Sequence, residues 1–393
     1  MIPIARPLVG DAEAEAAARV VRSGWLTQGP EVAAFEAEFA ALVGAAHACA
    51  VSSCTTALHL ALRAAGVGPG DEVVTVSHSF IATASSVRYC GAVPVFVDID
   101  PATYNIDPAL VEAAITPKTK AILCVHQIGM PCDLPALVAV ARKHGLRLVE
   151  DAACAIGSEI RIDGRWEPIG RPHGDIACFS FHPRKVITTG DGGMLTTNDA
   201  EYDRLFRLWR QHGMSVPDTV RHGSRSVIFE SYPVLGYNYR MTDVQAAVGR
   251  EQLKRLPDII ARRRALAHHY RERLAGIPGV SPPVEPEWAR SNWQSYAVRL
   301  DDGLEQRGVM QALLDRDIAT RRGIMCAHLE PAYGQEPWRA GSSLAESERA
   351  QGTVVLLPLY AQMSEEEQDQ VIDALAAVVA DARTGGGAGA RKG

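Results

Sequence analysis

Between about Ala46 and Asn198 the chain alternates short apolar runs with helical patterns. The runs "HACAVSS", "DEVVTVS", "VPVFVDI", "AILCVH", "LRLVEDAA", "DIACFSF" and "GGMLTTN" read as strands. Between several of them lie helices. "TTALHLALRAAG" ends at Gly66 and "LPALVAVARKHG" at Gly145, and glycine is the residue that most readily turns the chain past a helix end. This alternation implies the α/β class, with a large, mostly parallel sheet covered on both faces. In such sheets ligands sit at the carboxyl ends of the strands. No internal repeat is visible.

Farther along the chain the pattern changes. "QAAVGREQLKRLPDIIARRRALAHHYRERLAG" reads as long amphipathic helices. Beyond it come "NWQSYAVRL", a helix near "GVMQALLDRD" and a last helix from "SEEEQDQVIDALAAVVADAR", where Ser364 and Glu367 form a capping-box signature. A chain of 393 residues has room for more than one domain. We read a large domain over 1–254, a smaller α+β domain over 255–383, and a disordered Gly-rich tail over 384–393.

Composition narrows the function. A net charge of −6 gives no sign of nucleic-acid binding or of a basic membrane surface. No apolar run approaches a membrane span, and the N-terminus lacks a signal peptide's basic start and apolar block. The eight cysteines are scattered without a Cys-x-x-Cys pair, so no metal site is expected. They suit small buried thiols in a reduced cytoplasm.

The chain carries six lysines against 34 arginines. One lysine, Lys185, stands in "SFHPRKVITTGDGG" directly after an arginine. Arginine is locked in its charged form, whereas a desolvated lysine becomes a nucleophilic amine. A lysine kept in an Arg-rich chain points to a need for that amine; the plainer reading is an exposed loop residue. Asp151 ends the apolar run "LRLVED", where a carboxylate points into the ligand crevice, or else caps a helix. "SSCTTALHLAL" (52–62) is a strand end followed by hydroxyl residues that open a helix. That arrangement suits one isolated phosphate, or plain capping. It lacks the glycine patterns of nucleotide P-loops and dinucleotide folds, which argues against a Rossmann oxidoreductase. Together, an amine, a strand-end carboxylate and a phosphate cradle are what pyridoxal phosphate requires.

These segments resemble the DegT/DnrJ/EryC1/StrS family of sugar aminotransferases, with the aspartate aminotransferase type I fold. The resemblance runs from "RSGWLTQGP" through "VEDAACAIGS", "FSFHPRKVITTGDGGMLTTND" and "LGYNYRMTDVQAAVG" to "LPLYAQMSEEEQ". It implies that Lys185 forms the Schiff base with pyridoxal 5'-phosphate and that Asp151 partners the pyridine nitrogen. It implies phosphate ligands at Thr55, Thr56 and Ser180, and an aromatic ring over the cofactor at Phe80. Asn238 is expected to reach the phosphate from the other subunit of a homodimer with shared active sites. The sequence departs from the family at Cys54 (usually glycine), Met130 (commonly glutamine) and Cys154 (usually glutamine or histidine, near the cofactor's phenolic oxygen). The implied reaction moves an amino group from L-glutamate or glutamine to a keto sugar, nucleotide-linked, with Arg184, Arg321 and Arg322 as candidate diphosphate contacts. A keto-cyclitol acceptor and a non-catalytic cofactor- or sugar-binding regulator are the alternatives. Dehydratase relatives carry histidine in place of the lysine, so Lys185 argues against them.

Overall fold

A computed structural model describes residues 1–385. All seven runs read as strands are strands. In spatial order the main sheet is His47–Val51, Gly193–Thr197, Ile176–Ser180, Arg147–Asp151, Thr119–Val125, Glu72–Val76 and Val93–Val97. A two-residue strand, Arg339–Ala340, extends its far edge from the C-terminal part of the chain. The pairings are parallel except those of Gly193–Thr197, which runs against both neighbours.

Burial on both faces explains why these strands are continuously apolar. Along Ile176–Ser180 the side chains alternate between two cores. Ala177 and Phe179 join the cluster that holds Phe35 and Phe39, while Ile176 and Cys178 join the one that holds Leu58 and Phe206. Ring edges lock the first core, with Phe39 and Phe179 centred 5.0 Å apart. Gly145 caps the helix Leu134–His144 at φ 64°, and Gly66 takes φ 83° just beyond the helix Cys54–Ala64.

The stretch read as several amphipathic helices is one, Asp243–Leu274, which runs through residue 255 with Pro257 inside it. Thr242 and Gln245 form its capping box (Gln245 N to Thr242 Oγ1, 3.3 Å; Thr242 N to Gln245 Oε1, 3.0 Å). Asp243 also closes a second helix end. Its carboxylate accepts the backbone N–H groups of Gly29 (2.7 Å), Glu31 (3.2 Å) and Val32 (3.0 Å) at the start of Pro30–Val43.

A second, antiparallel sheet comprises Val280–Ser281, Tyr296–Leu300, Val354–Leu357 and Arg321–Arg322, in that order. Its core includes Val371 and Leu375 of the last helix, Glu365–Gly385. Ser364 and Glu367 bond reciprocally at the start of that helix, as their spacing suggested. Of the tail read as disordered, Thr384 and Gly385 belong to this helix, and residues 386–393 lie outside the described residues. Ile2 forms an isolated bridge to Ile318, and both pack into the core of the second sheet. A short hairpin, Glu159–Ile162 with Arg165–Pro168, pairs with Ala289–Arg290. No helix among the described residues is long and apolar enough to cross a membrane.

One glycine ties the sheet to the helix that opens beside it. A Cβ on Gly193 would lie 2.5 Å from the carbonyl carbon and oxygen of Ser53 and 2.7 Å from Cys54 N. Backbone cannot yield as a flexible side chain can. Gly193→Ala should therefore destabilise the protein by about 1–3 kcal/mol, as overpacking does. Urea unfolding checks this, and unchanged stability would show that the contact relaxes freely.

Candidate active site

The strands Arg147–Asp151 and Ile176–Ser180 end at one edge of the sheet, and the start of the antiparallel Gly193–Thr197 strand meets them there. A cavity of about 340 Å³ opens at this edge. Its wall includes Thr55, Phe80, Asp151, Cys154, Ser180 and Lys185, so the fold brings together six of the eight residues expected around the cofactor. The other two, Thr56 and Asn238, lie elsewhere.

Strand alternation sends the adjacent carboxylates Glu150 and Asp151 to opposite faces. Both are buried. Glu150 is held by His126 Nε2 (3.0 Å) and by the Gly174 N–H (3.1 Å). Asp151 receives only the Thr83 hydroxyl on Oδ2 (2.8 Å) and the Ala153 N–H on Oδ1 (3.2 Å). Among the described residues it makes no ion pair. Burial therefore pushes its carboxyl above the usual value, against the pull of Thr83, Ala153 and the more distant Lys185.

Lys185 follows a tight turn, with its N–H donating to His182 O (2.8 Å). Its Nζ lies 3.0 Å from Cys154 Sγ. Burial pulls the amine down, but Cys154, Cys54 and Asp151 together carry it above the ordinary lysine value. The Cys54 thiol, on the same cavity wall, is itself pushed well up by burial and by Asp151.

The helix Cys54–Ala64 points its N-terminus at the cavity. Ser53 caps it by accepting from Thr56 N (3.2 Å). Thr56 is turned away from the cavity: its hydroxyl donates to Ser53 O (2.7 Å) and accepts from Ser53 N (3.2 Å). It braces the loop, while Thr55 faces the cavity. First-turn N–H groups such as those of Cys54 and Thr55 have no carbonyl within their own helix to reach. Phe80, at the N-terminus of Ile81–Tyr89, is 58% exposed and lines the opening.

Asn238 is exposed and outside its own chain's cavity. Its Oδ1 accepts from Arg240 Nε (3.4 Å). The segment around it is fixed by backbone bonds from Ser52 N to Tyr239 O (2.8 Å) and from Tyr239 N to Arg210 O (2.8 Å). Of the three arginines, Arg184 and Arg321 line the cavity, whereas Arg322 is paired with Glu330 (2.9 Å). Met130 packs into the second core.

Several contributors escaped the sequence reading. Thr83 sits one helical turn after Phe80, a spacing that could have drawn attention to it. Asn292 and Gln294 are far away in sequence and carried no signal. Asn292 Nδ2 donates to Cys154 O and Ile156 O (both 2.8 Å), fixing the turn that presents Cys154. Gln294 Nε2 donates to Arg184 O (2.6 Å), steadying the Lys185 loop.

An uncompensated buried carboxylate, an amine on the same cavity wall and a helix N-terminus opening onto it fit pyridoxal phosphate. The profile of the DegT/DnrJ/EryC1/StrS aminotransferase family matches residues 7–376. The chain is 40% identical to the spore coat polysaccharide biosynthesis protein SpsC of Bacillus subtilis (strain 168), over 96% of this chain and 97% of that protein. Among solved structures, S. venezuelae DesV in complex with a ketimine intermediate superposes with a TM-score of 0.83 at 38% identity, covering 93% of this chain and 94% of that one. DesI in the presence of its TDP-sugar product gives a TM-score of 0.85 at 34% identity, covering 98% and 94%.

The isolation of Asp151 has a measurable consequence. Its folded carboxyl titrates above its free-chain value. The charge penalty is thus absent below the free-chain range and complete above the folded value. In cofactor-free protein at neutral pH, Asp151→Asn should be at least as stable as the parent, and its advantage should shrink as pH falls through that interval. Urea midpoints across a pH series read this directly. A variant clearly less stable at neutral pH would mean that the carboxylate is already compensated.

Proposed function

The chain belongs to the DegT/DnrJ/EryC1/StrS family of pyridoxal-phosphate-dependent sugar aminotransferases, and from that premise we propose that it transfers an amino group from L-glutamate or L-glutamine to the ketone of a nucleotide-linked sugar. The observation that carries this reading is the shared cavity wall of Lys185 and the unpaired, buried Asp151.

When bound, pyridoxal phosphate supplies an electron sink for charge that develops on the carbon beside the amino nitrogen. Lys185 Nζ would anchor the cofactor. Once displaced by the amino donor, the same nitrogen would take and hold the proton from the donor's α-carbon. Asp151 would keep the pyridine nitrogen protonated, held in place by Thr83 and the Ala153 N–H. Thr55, Ser180 and the first-turn N–H groups would bind the phosphate, with Thr56 holding that loop in shape. Phe80 would cover the ring. Cys154 would stand near the phenolic oxygen as a weak hydrogen-bond partner.

For the acceptor, Arg184 and Arg321 supply the cations that a sugar diphosphate needs. Arg322 is engaged with Glu330 and is set aside. The TDP-sugar product of DesI supports a nucleotide-linked acceptor here. The eight free cysteines suit the reducing cytoplasm.

We also propose a homodimer with shared sites. Val227, Phe229 and Leu235 are 85%, 92% and 96% exposed, just ahead of Asn238. Apolar exposure of this kind is expected where another surface covers it. Asn238 would then give its amide N–H to the partner subunit's cofactor phosphate.

Borohydride reduction of the loaded enzyme, followed by digestion, should place the cofactor on Lys185. Lys185→Ala should leave a folded protein with no covalent adduct, and an adduct on another lysine would overturn the assignment. Enzyme loaded with pyridoxamine phosphate should convert nucleotide-linked keto sugars to amino sugars. Asp151→Asn should slow that single turnover by about a hundredfold, as other losses of electrostatic support do. Equal turnover of keto sugars lacking the diphosphate would remove the nucleotide from the proposal.

Mixing two inactive variants, Lys185→Ala and Asn238→Asp, tests the shared site. A mixed dimer would contain one doubly defective site and one intact site, so part of the activity should return. Subunit exchange, proven with tagged chains, without rescue would defeat the arrangement.

A further inference from the structure

Of the eight cysteines, only Cys154 is not buried. Its sulfur faces the cavity, 3.0 Å from the amine of Lys185. Both groups are presented by fixed backbone. Asn292 holds the Cys154 carbonyl, and the Lys185 N–H is bonded within its own turn. A partly accessible sulfur against a cationic side chain is the setting in which cysteines react.

We propose that Cys154 and Lys185 form a peroxide-driven covalent cross-link that reversibly takes the lysine amine out of use. The balance is as follows. Hydrogen peroxide oxidises the Cys154 thiol to a sulfenic acid, and the peroxide is reduced to water. The Lys185 nitrogen, after its proton passes to solvent, attacks the sulfur. An S–N bond forms, the S–O bond breaks, and hydroxide leaves as water. The sulfenamide product is lighter than the reduced pair by two hydrogens. Two equivalents of thiol cleave it, restoring the thiol and the amine and yielding one disulfide.

The geometry selects this outcome over further oxidation. A sulfenic acid condenses with the nearest nucleophile it meets, and here that is an amine already in contact. The flexible lysine stem can shorten the contact to a bond. Cys54 also lines the cavity and is the competing partner. The atom in contact with the Cys154 sulfur, however, is the Lys185 nitrogen, at 3.0 Å. The cross-link requires only that the two side chains touch. Its effect on activity rests on the role proposed above for Lys185, and the two can fail separately.

The test exposes the purified full-length protein to hydrogen peroxide, with and without saturating pyridoxal phosphate, and maps the peptides by mass spectrometry. We expect a joined peptide pair containing Cys154 and Lys185, lighter by two hydrogens and released by dithiothreitol. It should be absent from Cys154→Ser and from Lys185→Arg, and suppressed by the cofactor, which occupies the amine. In Lys185→Arg the sulfur should advance instead to the sulfinic acid. A Cys154–Cys54 disulfide, direct passage of the parent's Cys154 to sulfinic acid, or an unmodified Cys154 would each overturn the proposal. If the cross-link forms and the cross-linked protein still takes up pyridoxal phosphate covalently, the Lys185 assignment falls while the cross-link stands.

Discussion

Asp151 lies at the end of a fully covered strand, with its charge met by one hydroxyl and one backbone N–H. A carboxylate buried this way opposes folding until a cation arrives, and the neighbouring Glu150 shows the contrast because His126 already meets it. The surrounding arrangement follows from keeping Asp151 in place. Thr83 must come from the helix behind Phe80, the Ala153 turn must follow the strand directly, and the sheet on both sides must be stable enough to carry the cost. The continuous apolar strands and interlocked phenylalanines supply that stability.

A related economy appears at Asp243. One carboxylate satisfies three N–H groups at the start of Pro30–Val43 while its own helix begins at the same residue. The segment that carries Asn238 runs directly into this helix, and its backbone is bonded to Ser52, just ahead of the helix Cys54–Ala64. That bond ties the Asn238 segment to the helix N-terminus that opens onto the cavity.

Much of this was legible in the sequence because the main strands are buried on both faces and read as unbroken apolar runs. Lys185 was legible because arginine so dominates the cations that a lysine stands out. Asp151 was legible from its place at a strand end. Arg339–Ala340 was not, because two residues carry no periodicity and its pairing is decided by tertiary contact. The stretch Asp243–Leu274 was read as several helices and is one, with Pro257 inside it. Thr56 was expected as a phosphate ligand from the family resemblance; its hydroxyl donates to Ser53 O, a local bond that a motif does not report. Asn292 and Gln294 act across long sequence separations through side-chain amides, which no local pattern reports.

The reversed direction of Gly193–Thr197 has a topological consequence. Had it run with the rest, residues 181–192 would have had to cross the whole sheet to re-enter it. Instead they leave and return at the same edge, closed by the pair Ser180–Gly193 and by Phe181 N to Gly192 O (2.9 Å). Lys185 therefore rides on a sequence-local excursion pinned at both ends to adjacent strands. Closing such a short loop takes little chain entropy. The excursion is also anchored from within, since Val186 and Ile187 pack into the first core and the Thr188 hydroxyl donates to Phe181 O (2.8 Å).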